Sequence, residues 1–162
     1  MQRPSKDESF IEMALVISKR GTCMRTQQGA VLVDKHGFVI SLGYNGSPSG
    51  MRHCEWDDVA KRSKIFCEKH HQCMCLHAEM NAIINAARHA SLRDELILYA
   101  TSSPCCECMK AIIQAGVKRV VFAEEYRDEF AFQLAKEANV EMVHLPHPKV
   151  HEGRRAYHPP KA

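Results

Sequence analysis

At 162 residues, 45% of them hydrophobic, the chain is long enough for one domain that buries about two-thirds of its unfolded surface without disulfide support. No run approaches the roughly 20 apolar residues of a membrane span, and the polar opening Met1-Gln2-Arg3-Pro4-Ser5-Lys6 is unlike a secretory signal. The formal net charge of +3 is milder than the basic stripe of a polynucleotide binder, so the expectation is a cytosolic protein, without membrane contact, whose eight cysteines are reduced thiols or metal ligands.

The predicted elements follow in chain order. Ser5-Lys6-Asp7-Glu8 has the S-x-x-E form of a capping box, and Phe10, Met13, Ala14 and Ile17 repeat behind it at helical spacing. Gly29 to Asp34 and Phe38 to Gly43 are β-rich runs joined by Lys35-His36-Gly37, which reads as a hairpin. From Tyr44 to about Leu76 the pattern is irregular, and so long a loop in a compact domain is functional or pinned. A helix (Ala78 to His89), a strand (Leu96 to Thr101), a helix (Cys105 to Ala115), a strand (Arg119 to Ala123), a helix (about Glu129 to Ala138) and a strand (Val140 to Leu145) complete the chain. Strands alternating with single helices imply right-handed crossovers. The architecture expected is an α/β domain over 1–146, a three-layer sandwich with a five-stranded mixed sheet. Its first two strands are antiparallel, the later ones are parallel, and helices cover both faces. Residues 147–162 read as a basic, proline-containing tail, a surface extension or subunit contact.

Two segments carry chemistry. His77-Ala78-Glu79 and Pro104-Cys105-Cys106-Glu107-Cys108 supply three metal ligands, His77, Cys105 and Cys108, and one carboxylate that is not a ligand. A structural zinc is closed by four protein ligands, whereas a catalytic zinc keeps a position for water. On a helix, positions 77 and 79 lie about 200° apart, so both can reach one metal only from the first turn, above the helix N-terminus. Pro104 and the run Met109, Ile112, Ile113 ending at Gly116 put Cys105 and Cys108 on another first turn. Two positive helix ends would then favour two thiolates at one zinc. Cys106 is out of phase and reads as a packed thiol. H-x-E with P-C-x-x-C is the signature of zinc-dependent nucleobase deaminases, in which the metal activates a water and the Glu moves its proton to the ring and to the departing amine. Glu79 takes that part here, with backbone groups of Thr101, Ser102 and Ser103 as acceptors for the amino group.

The segments Gly21-Thr22-Cys23-Met24-Arg25, Gly29-Ala30-Val31-Leu32-Val33, Gly43-Tyr44-Asn45-Gly46-Ser47-Pro48-Ser49-Gly50, His77 to Ile83 and Pro104 to Cys108 together resemble the deoxycytidylate (dCMP) deaminase family, in its bacterial, late-competence and phage forms. The likeness runs from about Ile11 to Val143 and implies the cytidine deaminase-like fold. It implies that Asn45 binds the deoxyribose, that Arg25 binds the 5′-phosphate with a guanidinium fork, and that Ala78 and Tyr126, beside Arg127, belong to the base pocket. It also implies a homo-hexamer, cytoplasmic in a bacterium or a phage-infected host. Activation by dCTP and inhibition by dTTP would act near Gly46, Ser47 and Gly50, the triphosphate carrying Mg2+. Cys23, Cys54, His70 and Cys73 match positions of a second, structural zinc, with Cys67, His71 and Cys75 as extra candidates. Rival readings are a deaminase of another nucleotide, nucleoside or polynucleotide, and a non-catalytic zinc-binding interaction module.

Overall fold

The computed structural model describes residues 3–23, 25–54, 56–57, 62–63, 73–89, 95–126 and 128–147. The first helix, α1 (Lys6–Ser18), starts at its capping box: the Glu8 N–H donates to Ser5 Oγ at 3.1 Å, and the Ser5 N–H to Glu8 Oε2 at 2.6 Å. Its buried residues are Ile11, Ala14 and Ser18, whereas Met13, placed by periodicity on the inner stripe, is exposed. The inner face is set by backbone proximity. A Cβ on Gly29 would meet the Ala14 carbonyl oxygen at 2.1 Å and the Ser18 nitrogen at 2.8 Å, so α1 lies directly on the first strand.

That strand, β1 (Gly29–Val33), is buried along its whole length. It pairs antiparallel with β2 (Val39–Tyr44) on one side and with β5 (Leu96–Ser102) on the other. Between β2 and β5 the chain forms a separate two-stranded pair, β3 (Trp56–Asp57) and β4 (Arg62–Ser63), inside the stretch read from sequence as irregular. Strands of two residues are too short to show alternation. The helix α2 (Ala78–His89) precedes β5; α3 (Cys106–Gln114), β6 (Val117–Glu124), α4 (Glu129–Glu137) and β7 (Glu141–His144) follow it. The main sheet has the order β2-β1-β5-β6-β7, with β5, β6 and β7 mutually parallel, as the alternation of strand and helix predicts.

Alternation along the strands divides the core. Ala30, Leu32, Leu98, Val120 and Phe122 pack with Ala82 and Ala86 of α2, Met109 and Ile112 of α3, and Ala131 and Ala135 of α4. Val31, Val33, Tyr99 and Val121 face the other way, onto Ile11 and Ala14 of α1. One helix therefore covers one face and three cover the other. After Gln114, Gly116 takes a positive φ of 83° and turns the chain into β6, the left-handed conformation glycine adopts without penalty. Of the tail, only His147 is among the described residues, 3.6 Å from Glu12. No helix among the described residues is long and apolar enough to cross a membrane.

The first turn of α2 is set against β2 at Gly43, where a Cβ would meet the Ala78 carbonyl oxygen at 2.1 Å and the Ala82 nitrogen at 2.5 Å. Gly43→Ala should therefore displace α2 and lower stability by about 1–3 kcal/mol, the range for overpacked sites. Urea unfolding of the two proteins checks this, and an unchanged midpoint would show that α2 can shift freely.

Candidate metal centre and cleft

His77 is the last residue before α2, and its carbonyl accepts the Asn81 N–H at 3.0 Å. Cys105 is the N-cap of α3, with extended backbone, and Cys108 follows within the first turn. Cys105 thus caps the helix rather than belonging to it, one residue short of the boundary read from sequence. The His77 Nδ1 lies 3.4 Å from Cys105 Sγ and 3.4 Å from Cys108 Sγ. Among the described residues, these three form the one group whose donor atoms all lie within 4.8 Å of one another. Zn–S bonds of about 2.3 Å and Zn–N bonds of about 2.0 Å at tetrahedral angles place ligand atoms roughly 3.5–3.8 Å apart. One imidazole nitrogen and two sulfurs at this spacing suit a zinc ion in both softness and size.

Glu79 stands beside them, buried, with one carboxylate oxygen 3.8 Å from Cys108 Sγ. Burial pushes its carboxyl above the ordinary range, against the pull of nearby His77. The hydrogen bond that His77 donates to the Cys105 sulfur holds its imidazole up, to about 9. Bonding from Cys108 and then from His77 holds the Cys105 thiol down, to about 3, while the same sulfur pushes the Cys108 thiol up. Among themselves the ligands thus share one thiolate, one thiol and one imidazolium at neutral pH.

His77, Cys105 and Glu79 line an open cleft. Arg25, Asn45, Ala78, Thr101, Ser102, Ser103 and Tyr126 line it too. Asn45 is buried and already engaged: its Oδ1 accepts the Gln28 N–H and its Nδ2 donates to the Thr26 carbonyl, both at 2.8 Å. One amide hydrogen remains for another acceptor. The Thr101 hydroxyl is bonded to the Gln28 side chain and accepts the Gly29 N–H at 3.1 Å. The Ser103 hydroxyl accepts the Tyr126 N–H at 2.7 Å. Gly46, Ser47 and Gly50 do not line the cleft. Gly46 instead pairs with Leu76, exchanging N–H···O bonds of 3.1 and 2.9 Å, and so fixes the residue before His77.

Sequence reading missed Gln28, which lines the cleft between Arg25 and Asn45 and carries no motif. It also left Cys75 among the extras. Cys75 lies 3.8 Å from Cys54 Sγ, its N–H donates to Cys73 Sγ at 3.4 Å, and bonding to Cys23 and Cys73 pushes its thiol up. Cys23, Cys54, Cys73 and Cys75 thus lie close together, and none of them is in a disulfide among the described residues. His70, with Cys67, His71 and Arg127, lies outside the described residues.

Residues 4–124 match the family described as the cytidine and deoxycytidylate deaminase zinc-binding region. The chain is 39% identical to the probable deoxycytidylate deaminase of Caenorhabditis elegans, over 94% of this chain and 73% of that one. To the deoxycytidylate deaminase of Saccharomyces cerevisiae it is 34% identical, over 86% of this chain and 45% of that one, so it spans less than half the length of that relative. The crystal structure of the dCMP deaminase from cyanophage S-TIM5 in complex with dCMP and dUMP superposes with a TM-score of 0.73 at 31% identity. It covers 90% of this chain and all of that one.

The shared protons set the pH dependence of metal binding. At pH 7 the protons on His77, held up to about 9, and on the raised Cys108 must leave when zinc binds, while Cys105 has none to lose. Zinc binding at the His77 site should release about two protons per ion at pH 7, and affinity should rise with pH, less steeply above about 9, where His77 is neutral by itself and only the raised Cys108 thiol still gives up a proton. Calorimetric titration in buffers of different ionisation heat measures this. A heat independent of buffer would contradict the shared-proton arrangement.

Proposed function

Since the chain belongs to the cytidine and deoxycytidylate deaminase family, we propose that it hydrolyses dCMP to dUMP and ammonia. The observation that carries this is the set of His77, Cys105 and Cys108 donors with buried Glu79 beside it, at the floor of a cleft that Arg25 and Asn45 also line. His77, Cys105 and Cys108 hold a catalytic zinc. When bound, the metal lowers the pKa of a water towards neutrality and supplies the nucleophile. Glu79 takes that water's proton and delivers it to N3 of the ring as the oxygen adds to C4. It then passes the second proton to the amino group, which leaves as ammonia. A carboxyl raised by burial suits a group that must both accept and donate.

Substrate choice follows from Arg25 and Asn45, which line the same cleft. The Arg25 guanidinium takes the 5′-phosphate and the remaining Asn45 amide hydrogen takes a deoxyribose hydroxyl. Ala78, Ser102, Ser103 and Tyr126 border the base, while Thr101 acts through its backbone, since its hydroxyl is bonded to Gln28 and Gly29. The dUMP formed would supply dTTP synthesis. Regulation by dCTP and dTTP near Gly46, Ser47 and Gly50, with Mg2+ on the triphosphate, and assembly as a hexamer belong to the same reading and rest on the family resemblance. A second, structural zinc at Cys23, Cys54, Cys73 and His70 also rests on the family resemblance, and Cys75 joins its candidate ligands through contacts with the other cysteines, although these thiols are not drawn together as closely as the donors at His77.

Ammonia release from dCMP, deoxycytidine and single-stranded DNA, assayed side by side, should show clear preference for dCMP. Equal or better turnover of the nucleoside would overturn the role of Arg25. Glu79→Gln should retain zinc and lose about 100-fold or more in kcat; a zinc-loaded Glu79→Gln variant as active as wild type would remove Glu79 from the mechanism. Metal analysis should find two zinc ions per chain, falling to one in Cys75→Ser, and a single ion in the wild type would reject the second site.

A further inference from the structure

The loop that carries Cys105 is held from one side by the segment following β6. The parallel β5–β6 register ends with Ser102 opposite Glu124, yet the two segments stay bonded beyond it. The Ser103 N–H donates to the Glu124 carbonyl at 2.8 Å, and the Ser103 hydroxyl donates to the Tyr126 carbonyl at 3.0 Å. Further along, Asp128 Oδ2 accepts the Cys106 N–H at 2.8 Å, and Asp128 Oδ1 accepts the Ala131 N–H at 3.1 Å. One carboxylate therefore caps two helices, its own α4 and the neighbouring α3.

The reason is local to α3. The first N–H groups of a helix need acceptors, and the N-cap side chain is their usual source. At α3 the N-cap is Cys105, which makes no such bond, because its sulfur is turned to His77. The Cys106 N–H, the first of the helix, finds its acceptor in Asp128, 22 residues further along the chain.

The geometry points to Asp128 as a positioning residue for the zinc ligands: by holding the Cys106 N–H it fixes the first turn of α3, and with it the aim of Cys105 and Cys108 at His77. This rests on the zinc reading above. Partners one step removed from a metal ligand typically change metal affinity by about 10- to 100-fold, and Asp128 acts on the backbone between the two sulfurs.

The test uses zinc-loaded full-length protein and a chromogenic chelator. Zinc at the His77 site is identified as the fraction that a Cys108→Ser control lacks, and urea unfolding is followed in parallel. Asp128→Ser and Asp128→Asn both supply a good N-cap for α4, but neither has a second acceptor oxygen for Cys106. Both should unfold near the wild-type midpoint after metal removal, yet lose zinc from the His77 site about 10- to 100-fold more readily. Asp128→Ala should show the same loss of affinity together with a lower midpoint. Wild-type affinity in Asp128→Ser and Asp128→Asn would overturn the inference, because Asp128 would then serve α4 alone. A wild-type protein that holds no zinc at His77 would overturn the zinc reading itself, and this inference with it.

Discussion

Three donor atoms from two helices have to meet within 4.8 Å, and most of the architecture around them serves that meeting. His77 arrives from the start of α2, and Cys105 and Cys108 from the start of α3, with β5 lying between the two helices in the chain. Neither helix can drift. The backbone of α2 sits against β2 at Gly43, and the Gly46–Leu76 bridge fixes the approach to His77. The α3 turn is held through Ser103 and Asp128 to the segment after β6. Aligned helix dipoles add a positive end on each side of the thiols, which suits a site that must carry thiolate charge once a metal is bound.

Hydrogen bonds also organise the cleft around Asn45. Asn45 follows β2, and its carboxamide pins the backbone of residues 26 and 28, so the loop carrying Arg25 is tied to the strand on which α2 rests. Gly21 makes room for this: a Cβ there would meet Asn45 Oδ1 at 2.5 Å. Thr22 bonds to the Asn45 carbonyl at 3.0 Å, and the neighbouring Cys23 reaches Cys75, two residues before His77. The segments carrying Arg25, Asn45 and His77 are therefore tied together through backbone hydrogen bonds. Movement at the thiol cluster would be felt at His77.

Much of this architecture was legible in advance. The Ser5–Glu8 box, the apolar periodicity of α2 and α3, the stop at Gly116 and the strand-helix alternation after residue 95 are local signals, and the elements lie within a residue or two of where those signals put them. Other features were not legible because they are set by neighbours. Met13 lies on the right helical repeat but is exposed, since Gly29 draws a different stripe of α1 onto the sheet. Gln28 has no motif, and its position in the cleft follows from the pairing of β1 with β5.

The sequence by itself determined the donor set, because a His, a Glu and two Cys in H-x-E and P-C-x-x-C spacing offer a zinc three ligands and leave a carboxylate beside it. It could not say how Cys105 both opens a helix and points at a metal. Only the tertiary structure decided that, by bringing the Asp128 carboxylate to the Cys106 N–H. It likewise brought Cys75 into contact with Cys54, Cys73 and Cys23. The physical reason is the same in both cases: spacing along a chain restricts which side chains can converge, but hydrogen-bond partners far apart in sequence are chosen by packing.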